Sequence, residues 1–308
     1  MTTGASPLIA LVGPTASGKS QAGIALAELL DAEVVSADSM LVYRGMDIGT
    51  AKPTLDDRSR VPHHLIDVVE PREAFSVAIY QELAAESLEG IATRGSRPLI
   101  VGGSGLYFRA VADGLEFPGT DSSTRRDLET EARAGPGRLH DRLRSVDPDA
   151  AGKIEPANVR RTVRALEVAA VTGRPFSSFA GDWQRFPGER VRVAGVFMSP
   201  EVRSDRIESR VRQMLDSGLV EEVSGLVDEG LGEWLTASQA IGYAEIALYL
   251  QGVLTLEEAA SRTVKRTKSL ARRQLAWFRR DPRIHWFEAG SEGAGTFVDR
   301  IAEYLADG

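Results

Sequence analysis

The sequence has 308 residues, 43% of them hydrophobic and 26% charged, enough to bury a core in one large or two smaller domains. It holds no cysteine, which excludes disulfides, thiol catalysis and thiolate metal sites, and no apolar run approaches the roughly 18 residues of a membrane span. A net charge of −7 argues superficially against nucleic acid, yet Arg262–Arg283 carries nine Lys or Arg and one acid, a local +8 against −15 elsewhere.

Thr2–Pro7 has neither a positive charge nor a long apolar segment, so no secretory signal and a cytoplasmic location are expected. Leu8–Val12 reads as a short buried strand, followed by a Gly-rich turn and a helical pattern through Leu30. Glu33–Ser36 and Arg97–Val101 read as further strands, with helical spacing over Ala74–Ala92 between them. Such alternation predicts an α/β fold with a parallel sheet flanked by helices. Asp121–Pro187 is rich in Arg, Asp, Glu and Ala and poor in strand-like runs, so it reads as a helical insertion between Pro118-Gly119 and Pro187-Gly188. The β-branched, alternating Val191–Met198 returns to the sheet. From Pro200 the pattern is helical almost to Phe278, broken at Gly218, Gly230 and Gly252. The expected organisation is a core from residues 1–120 and 188–308, interrupted by an insertion at 121–187.

Gly13-Pro14-Thr15-Ala16-Ser17-Gly18-Lys19-Ser20 fits G-x-x-x-x-G-K-[ST] between a strand and a helix. Backbone amides of such a loop turn inward around a phosphate chain, and the following helix presents its positive end. Lys19 brings a point charge to the outer phosphate, and the Ser20 hydroxyl is placed to hold Mg2+. A hydrolysing P-loop enzyme usually ends a later strand in a metal-positioning Asp. Here Pro98–Val101 runs into Gly102-Gly103-Ser104, and the acid stands instead at Asp38, after Val34-Val35-Ser36-Ala37. An ATP-dependent small-molecule kinase is therefore the weaker reading of the loop.

Several blocks together resemble the bacterial tRNA dimethylallyltransferases (tRNA isopentenyltransferases): Gly13–Ser20, Asp38–Pro53 (DSMLVYRGMDIGTAKP), Pro62–Asp67 (PHHLID) and Gly102–Tyr107 (GGSGLY). Arg164–Glu167, Ile241–Tyr243 and Arg273–Phe278 extend the likeness from about Leu8 to Phe287. The resemblance implies transfer of a dimethylallyl group from dimethylallyl diphosphate to N6 of the adenosine 3′ of the tRNA anticodon, with release of diphosphate and Mg2+ as cofactor. It also explains the missing acid, because the loop would hold a prenyl diphosphate as leaving group. A prenyltransferase acting on free adenylate is an alternative that would not need a basic C-terminal helix. Two departures stand out: Leu41 replaces a frequent Gln, removing an amide able to read the adenine edge, and Ser104 replaces a frequent Thr.

Adenine's exocyclic amine is a poor nucleophile, so a carboxylate accepting its proton would help; Asp38, at a strand's C-terminal end near the loop, suits that role or the organisation of Mg2+. Lys19 and Ser104 join it as expected catalytic residues. Arg206 and Arg210, one helical turn apart, are placed either to close over the diphosphate or to line a solvated face. His63 and His64 alternate on an extended segment, which argues against zinc. Tyr107 and Phe108 read as prenyl-pocket wall or as core.

For RNA, Arg160, Arg161 and Arg164 share one side of an expected helix at Val159–Val171, and Lys265, Lys268, Arg272 and Arg279 form a stripe beside Val264, Ala271, Leu275 and Phe278. By resemblance, the tRNA contacts are Asp38, Ser39, Met40, Leu41, Ser104, Arg125, Arg160, Arg161, Arg164, Ile241, Gly242, Tyr243, Arg273, Arg279 and Arg280. The expected partner is the anticodon stem-loop, its target base flipped out of the stack, bound by a monomer without membrane attachment.

Overall fold

Six parallel strands form one sheet: β1 (Leu8–Val12), β2 (Ala32–Ala37), β3 (His63–His64), β4 (Arg97–Gly102), β5 (Val191–Phe197) and β6 (Ile284–Glu288), in the order β3-β2-β4-β1-β5-β6. These strands belong to a computed structural model that describes residues 7–188, 191–234, 236–290 and 294–306; Thr2–Ser6 of the leading segment lies outside the described residues. The inner strands are continuous apolar runs because helices cover both faces of a parallel sheet. β6 was not expected from its sequence: His285 and Glu288 are exposed, so this edge strand lacks the run of buried residues that marks β1.

The helices of the sheet-bearing unit are α1 (Lys19–Leu29), α2 (Leu55–Arg60), α3 (Val77–Thr93) and α4 (Gly105–Ala112), with five more after the insertion. The core joins Ile9 and Leu11 of β1, Ile24 and Leu26 of α1, Leu99 of β4, Val196 of β5 and Phe287 of β6. This unit comprises residues 1–113 and 187–308, and a second spans Gly114–Phe186. The second unit begins at Gly114, whose φ of +60° follows the end of α4, rather than at Pro118-Gly119. It contains α5 (Ser122–Ala134), α6 (Pro136–Val146), α7 (Pro148–Ala151) and α8 (Val159–Thr172) around Leu128, Leu139, Leu143, Val163 and Leu166. At the heart of α8, buried Glu167 accepts hydrogen bonds from Arg125 Nη2 (2.8 Å), Arg164 Nη1 (2.9 Å) and the Asp121 amide (3.0 Å).

The long helical stretch after β5 divides into α9 (Pro200–Asp216), α10 (Leu219–Asp228), α11 (Tyr243–Leu250) and α12 (Leu256–Phe278), followed after β6 by α13 (Ala294–Ala306). Gly218 (φ +98°) and Gly230 (φ +105°) bracket α10, where a left-handed backbone ends one helix and frees the chain to start another element. At the carboxyl end of the sheet, Val12 and Ala37 both register with Gly102. Gly13, Asp38 and the Gly102–Ser104 turn therefore emerge side by side, where ligands bind in open parallel sheets.

Candidate active site

The phosphate loop is built against its neighbours. A Cβ on Gly13 would stand 2.3 Å from the Val196 carbonyl oxygen of β5, and Ala16 adopts φ +62° with its methyl packed beside Ile207 of α9 and Ala271 of α12. Gly18 (φ +87°) precedes α1, and no side chain caps that helix, so its first amides lack an intramolecular side-chain acceptor. Arg206 lies near the loop as well, its Nη1 3.4 Å from where a Gly18 Cβ would be.

A cavity of about 190 Å3 opens beside the loop. Its polar wall includes Thr15, Lys19, Ser20, Asp38, Arg210 and Gln274, and its apolar wall includes Ile66, Val101, Ile207, Val211, Met214 and Leu270. Burial pulls the Lys19 ammonium down to about pH 8, opposed by the Asp38 carboxylate and reinforced by Arg210. Arg210 is itself lowered by burial and by Arg206. The cationic side of this cavity thus has fewer protein anions than its charge calls for, a condition that a bound anion relieves.

Asp38 follows β2 directly. Its Oδ1 accepts a hydrogen bond from the Met40 amide at 2.9 Å, which fixes the carboxylate. Among the described residues no hydrogen bond reaches Oδ2. Met40, Leu41 and Ile241 share the cavity, while Ser39 borders it in sequence as a half-buried residue. Ser104 donates its amide to the Ala37 carbonyl oxygen at 3.1 Å, and its Oγ accepts from the Tyr107 amide as the N-cap of α4. Its hydroxyl thus serves the turn, one backbone hydrogen bond away from Asp38.

No group of three or more His, Cys, Asp or Glu among the described residues is disposed to hold a metal. Ser20 is exposed, and with Asp38 it lines the cavity entered by the first turn of α1. That sparse oxygen set fits a divalent ion completed by substrate phosphates and water. His63 and His64 are spoken for: Nδ1 of His63 lies 2.7 Å from the Val61 carbonyl oxygen, and Nε2 of His64 lies 2.6 Å from Glu33.

The conspicuous Asp38–Pro53 and Pro62–Asp67 blocks are held by buried charge. Lys52, 2% exposed at its side chain, donates to Asp47 Oδ1 (2.5 Å), Asp67 Oδ1 (2.6 Å) and the Tyr43 carbonyl oxygen (2.8 Å). Arg58 adds a bond to Asp67 Oδ2 at 2.7 Å. Glu222 of α10 accepts from three successive amides, Asp47, Ile48 and Gly49.

Several expected side chains stand elsewhere. Tyr243 is fully buried and donates its hydroxyl to Glu222 Oε1 at 2.5 Å, so it props the loop from inside rather than offering a ring to RNA. Arg125 and Arg164 are engaged with Glu167, and Arg164 also donates to the carbonyl oxygens of Pro118 and Gly119; Arg160 and Arg161 are exposed. Tyr107 and Phe108 are core, against Tyr80 and Phe278. In the basic stretch, Lys268 pairs with Glu208 at 2.7 Å, Arg266 pairs with Glu245, and Arg283 is buried between Asp113 and Asp281. Lys265, Arg272, Arg273, Arg279 and Arg280 are exposed. Apart from Asp281, two residues from Arg283, the counterions come from α9, α11 and the residue that follows α4, so sequence proximity could not reveal them. Gly242 belongs to the same clamp, donating its amide to Glu245 Oε2 at 2.8 Å.

Sequence reasoning also missed Glu222 and Glu245, and it placed Gln274 in the Arg273–Phe278 block without its tie to the phosphate loop. The Oε1 of Gln274, on α12, accepts from the Thr15 amide at 2.8 Å and ties the basic helix to the phosphate loop. Nothing in its helical spacing distinguishes it from a surface glutamine.

Residues 41–281 match the family model described as IPP transferase. A tRNA dimethylallyltransferase of Salinispora tropica is 51% identical over 98% of this chain and 94% of its own length. One of Streptomyces coelicolor is 50% identical over 97% and 96%. Among solved structures, the tRNA isopentenylpyrophosphate transferase of Bacillus halodurans superposes with a TM-score of 0.72 at 41% identity, covering 98% of this chain and 96% of that one. A eukaryotic dimethylallyltransferase acting on tRNA gives 0.77 at 27% identity, covering 93% and 75%. A cavity that joins a phosphate loop, a fixed carboxylate and an apolar wall is thus found in a chain half identical to the Salinispora and Streptomyces enzymes along nearly its whole length, and the chain belongs to the tRNA dimethylallyltransferase family.

Proposed function

We propose that this chain transfers the dimethylallyl group of dimethylallyl diphosphate to N6 of the adenosine 3′ of the anticodon in tRNA, as a cytoplasmic monomer that binds the anticodon stem-loop. The observation that carries the reading is the sharing of one cavity by Lys19, Asp38 and an apolar wall. The phosphate loop and Lys19 hold the diphosphate, Arg210 and Arg206 cover it, and the wall of Ile66, Val101 and Met214 receives the five-carbon group. A bond forms between N6 and C1 of the prenyl group as the C1–O bond breaks. The electron pair leaves with diphosphate, and Asp38 takes the N6 proton. Lys19, Arg210 and the loop amides stabilise the charge that develops on the leaving oxygen. Ser20, together with the diphosphate, would hold Mg2+, which would supply further neutralisation of that charge.

The base must leave its stack to reach Asp38, at a cost of a few kcal/mol. The exposed Arg160 and Arg161 of the second unit, and Lys265, Arg272, Arg273, Arg279 and Arg280 of the first, would repay it through phosphate contacts. Mass analysis of nucleosides from tRNA incubated with the protein, Mg2+ and dimethylallyl diphosphate tests the function. A gain of one dimethylallyl group on adenosine is expected. Unchanged nucleosides, or prenylation of free adenylate instead, would overturn it.

A further inference from the structure

Glu222 of α10 is a carboxylate with every lone-pair direction taken. Its Oε2 accepts from the Asp47 amide at 3.0 Å and the Ile48 amide at 2.8 Å, and its Oε1 accepts from the Gly49 amide at 3.2 Å and the Tyr243 hydroxyl at 2.5 Å. Four donors on two oxygens are the full capacity of an ionised carboxylate. Burial and the Glu222 charge hold the Tyr243 phenol in its protonated, donating form. Successive amides turned toward one point form a concavity suited to an anion, and here the anion is the protein's own. On the other side of the same turn, Lys52 donates to Asp47, Asp67 and the Tyr43 carbonyl oxygen. The chain between these two holds is pinned at both ends.

That chain is Gly49, Thr50 and Ala51, and all three line the cavity that holds Lys19 and Asp38. Their side chains are a hydrogen, a short hydroxyl and a methyl, so the place of this wall is set by its backbone and not by side-chain length. Thr50 Oγ1 donates back to the Met46 carbonyl oxygen at 2.6 Å, and Ala51 keeps φ at +54°, a left-handed conformation that a residue with a side chain holds only under restraint. Behind Gly49 stands the Tyr243 ring, so close that a Cβ at position 49 would overlap it. Ala51 borders, with Lys19, Ser20, Arg210 and Met214, both this cavity and the chamber next to it, which puts the wall beside the groups that face the diphosphate and the prenyl chain. Without the Glu222 charge, three amides lose their acceptor and the wall is free to draw back. We propose that Glu222 is a positioning residue that sets the depth of the donor pocket, so that a five-carbon allylic chain fits and a longer one does not. The inference rests on the prenyl-donor reading of the cavity proposed above.

The test varies the clamp and the donor together. Transfer to tRNA is measured with dimethylallyl diphosphate and with its ten-carbon homologue, geranyl diphosphate, for the wild type, Glu222→Gln and Tyr243→Phe. The glutamine keeps the size of the side chain but offers one acceptor oxygen, so its amide nitrogen must face backbone N–H groups. Tyr243→Phe removes one of the four donors and leaves the three amides in place. In Glu222→Gln the KM for dimethylallyl diphosphate should rise by about 10- to 30-fold with kcat within about threefold, and the preference for the shorter donor in kcat/KM should narrow by about tenfold. Tyr243→Phe should move both quantities the same way by about two- to fivefold. The KM for tRNA should stay within about twofold in each variant. Thermal unfolding identifies a variant that fails to fold, in which case the other decides. A lower unfolding temperature with donor KM and donor preference both unchanged would overturn the inference and leave Glu222 a structural prop. So would a rise confined to the KM for tRNA, which would set the wall against the RNA. A wild type that transfers neither donor to tRNA would instead overturn the function itself, and the inference with it.

Discussion

Two lysines of this molecule meet opposite fates. Lys52 is buried between Asp47 and Asp67, with Arg58 holding the far oxygen of Asp67, so its charge is spent inside the protein. Lys19 is drawn into the cavity with Asp38 opposing its loss of charge and Arg210 aggravating it, so that its ammonium falls to about pH 8. One site is complete, and the other is short of negative charge. The difference separates scaffold from binding site in two stretches that are equally conspicuous as sequence: an internally matched charge holds a loop in shape, whereas a mismatched one awaits an anion.

The strongest way to break this division is at Asp38. Replacing it by Asn keeps the acceptor for the Met40 amide but loses the charge and the capacity to take a proton. Single-turnover transfer should fall by roughly a hundredfold to ten-thousandfold, with tRNA affinity within a few-fold of wild type. Full rescue at high Mg2+ would reassign Asp38 from proton acceptor to metal organiser.

Removing each lysine should then damage a different property. Lys19→Met should lower turnover by roughly a hundredfold or more through lost diphosphate binding and leaving-group stabilisation, without lowering the unfolding temperature. Lys52→Met leaves Asp67 facing Asp47 with only Arg58 in compensation. It should destabilise the fold by about 2–4 kcal/mol, toward the lower end because Asp47 is largely exposed. Denaturant unfolding beside single-turnover rates reads both. A stable, inactive Lys52 variant would show that the charges of the Lys52, Asp47 and Asp67 cluster act in chemistry.

The Lys19 ammonium also fixes a pH signature of opposite sign for ligand-free and liganded protein. Its folded value, about 8, lies below the 10.5 of a free lysine, so the unfolded chain binds more protons between those values. The ligand-free protein should gain stability from this group as pH rises across that window. Diphosphate prefers the charged form, so its dissociation constant should rise above pH 8 by up to about tenfold per unit. Calorimetry in two buffers of different ionisation enthalpy should show proton uptake on binding above pH 8, absent in Lys19→Met. Binding without proton uptake would mean that Lys19 is not the group facing the diphosphate.

How much of this could be read beforehand follows the same division. The phosphate loop, Asp38 and the inner strands were legible because each is a local pattern: fixed spacing, a β-branched run, an acid after a strand. β6 was not, since an edge strand with exposed His285 and Glu288 resembles a loop. The roles of Glu222, Glu245 and Gln274 were hidden for a different reason. Each acts across 170 residues or more, or through a turn of a distant helix, as when Gln274 meets Thr15 at a separation of 259 positions. Tyr243 is the converse: a motif residue expected at the RNA has its side chain buried as a prop against Glu222. Sequence displays which charges exist and says little about which ones cancel.

The basic helix sharpens that last point by the smallest expected effect. Read as sequence, Lys265, Lys268, Arg272 and Arg279 are one stripe of equal members. In the fold, Lys268 is paired with Glu208, itself held below the usual carboxylate range chiefly by the Lys268 hydrogen bond, whereas Lys265 and Arg272 are exposed. A lysine already neutralised releases few counterions when a phosphate approaches, so it should add little to the salt dependence of RNA binding. Arg272→Ala and Lys265→Ala should each flatten the slope of log affinity against log salt by about 0.7 to 0.9 if each covers one phosphate. Lys268→Ala should change it by far less, while Glu208→Gln should steepen it by freeing Lys268. Affinity for dimethylallyl diphosphate serves as the control and should hardly move in any of the four. Equal slopes for Lys268→Ala and Arg272→Ala would mean that the Glu208 pair opens on binding and the stripe acts as one surface. Slopes unchanged in all of them would make it a solvated helix face with no part in binding RNA.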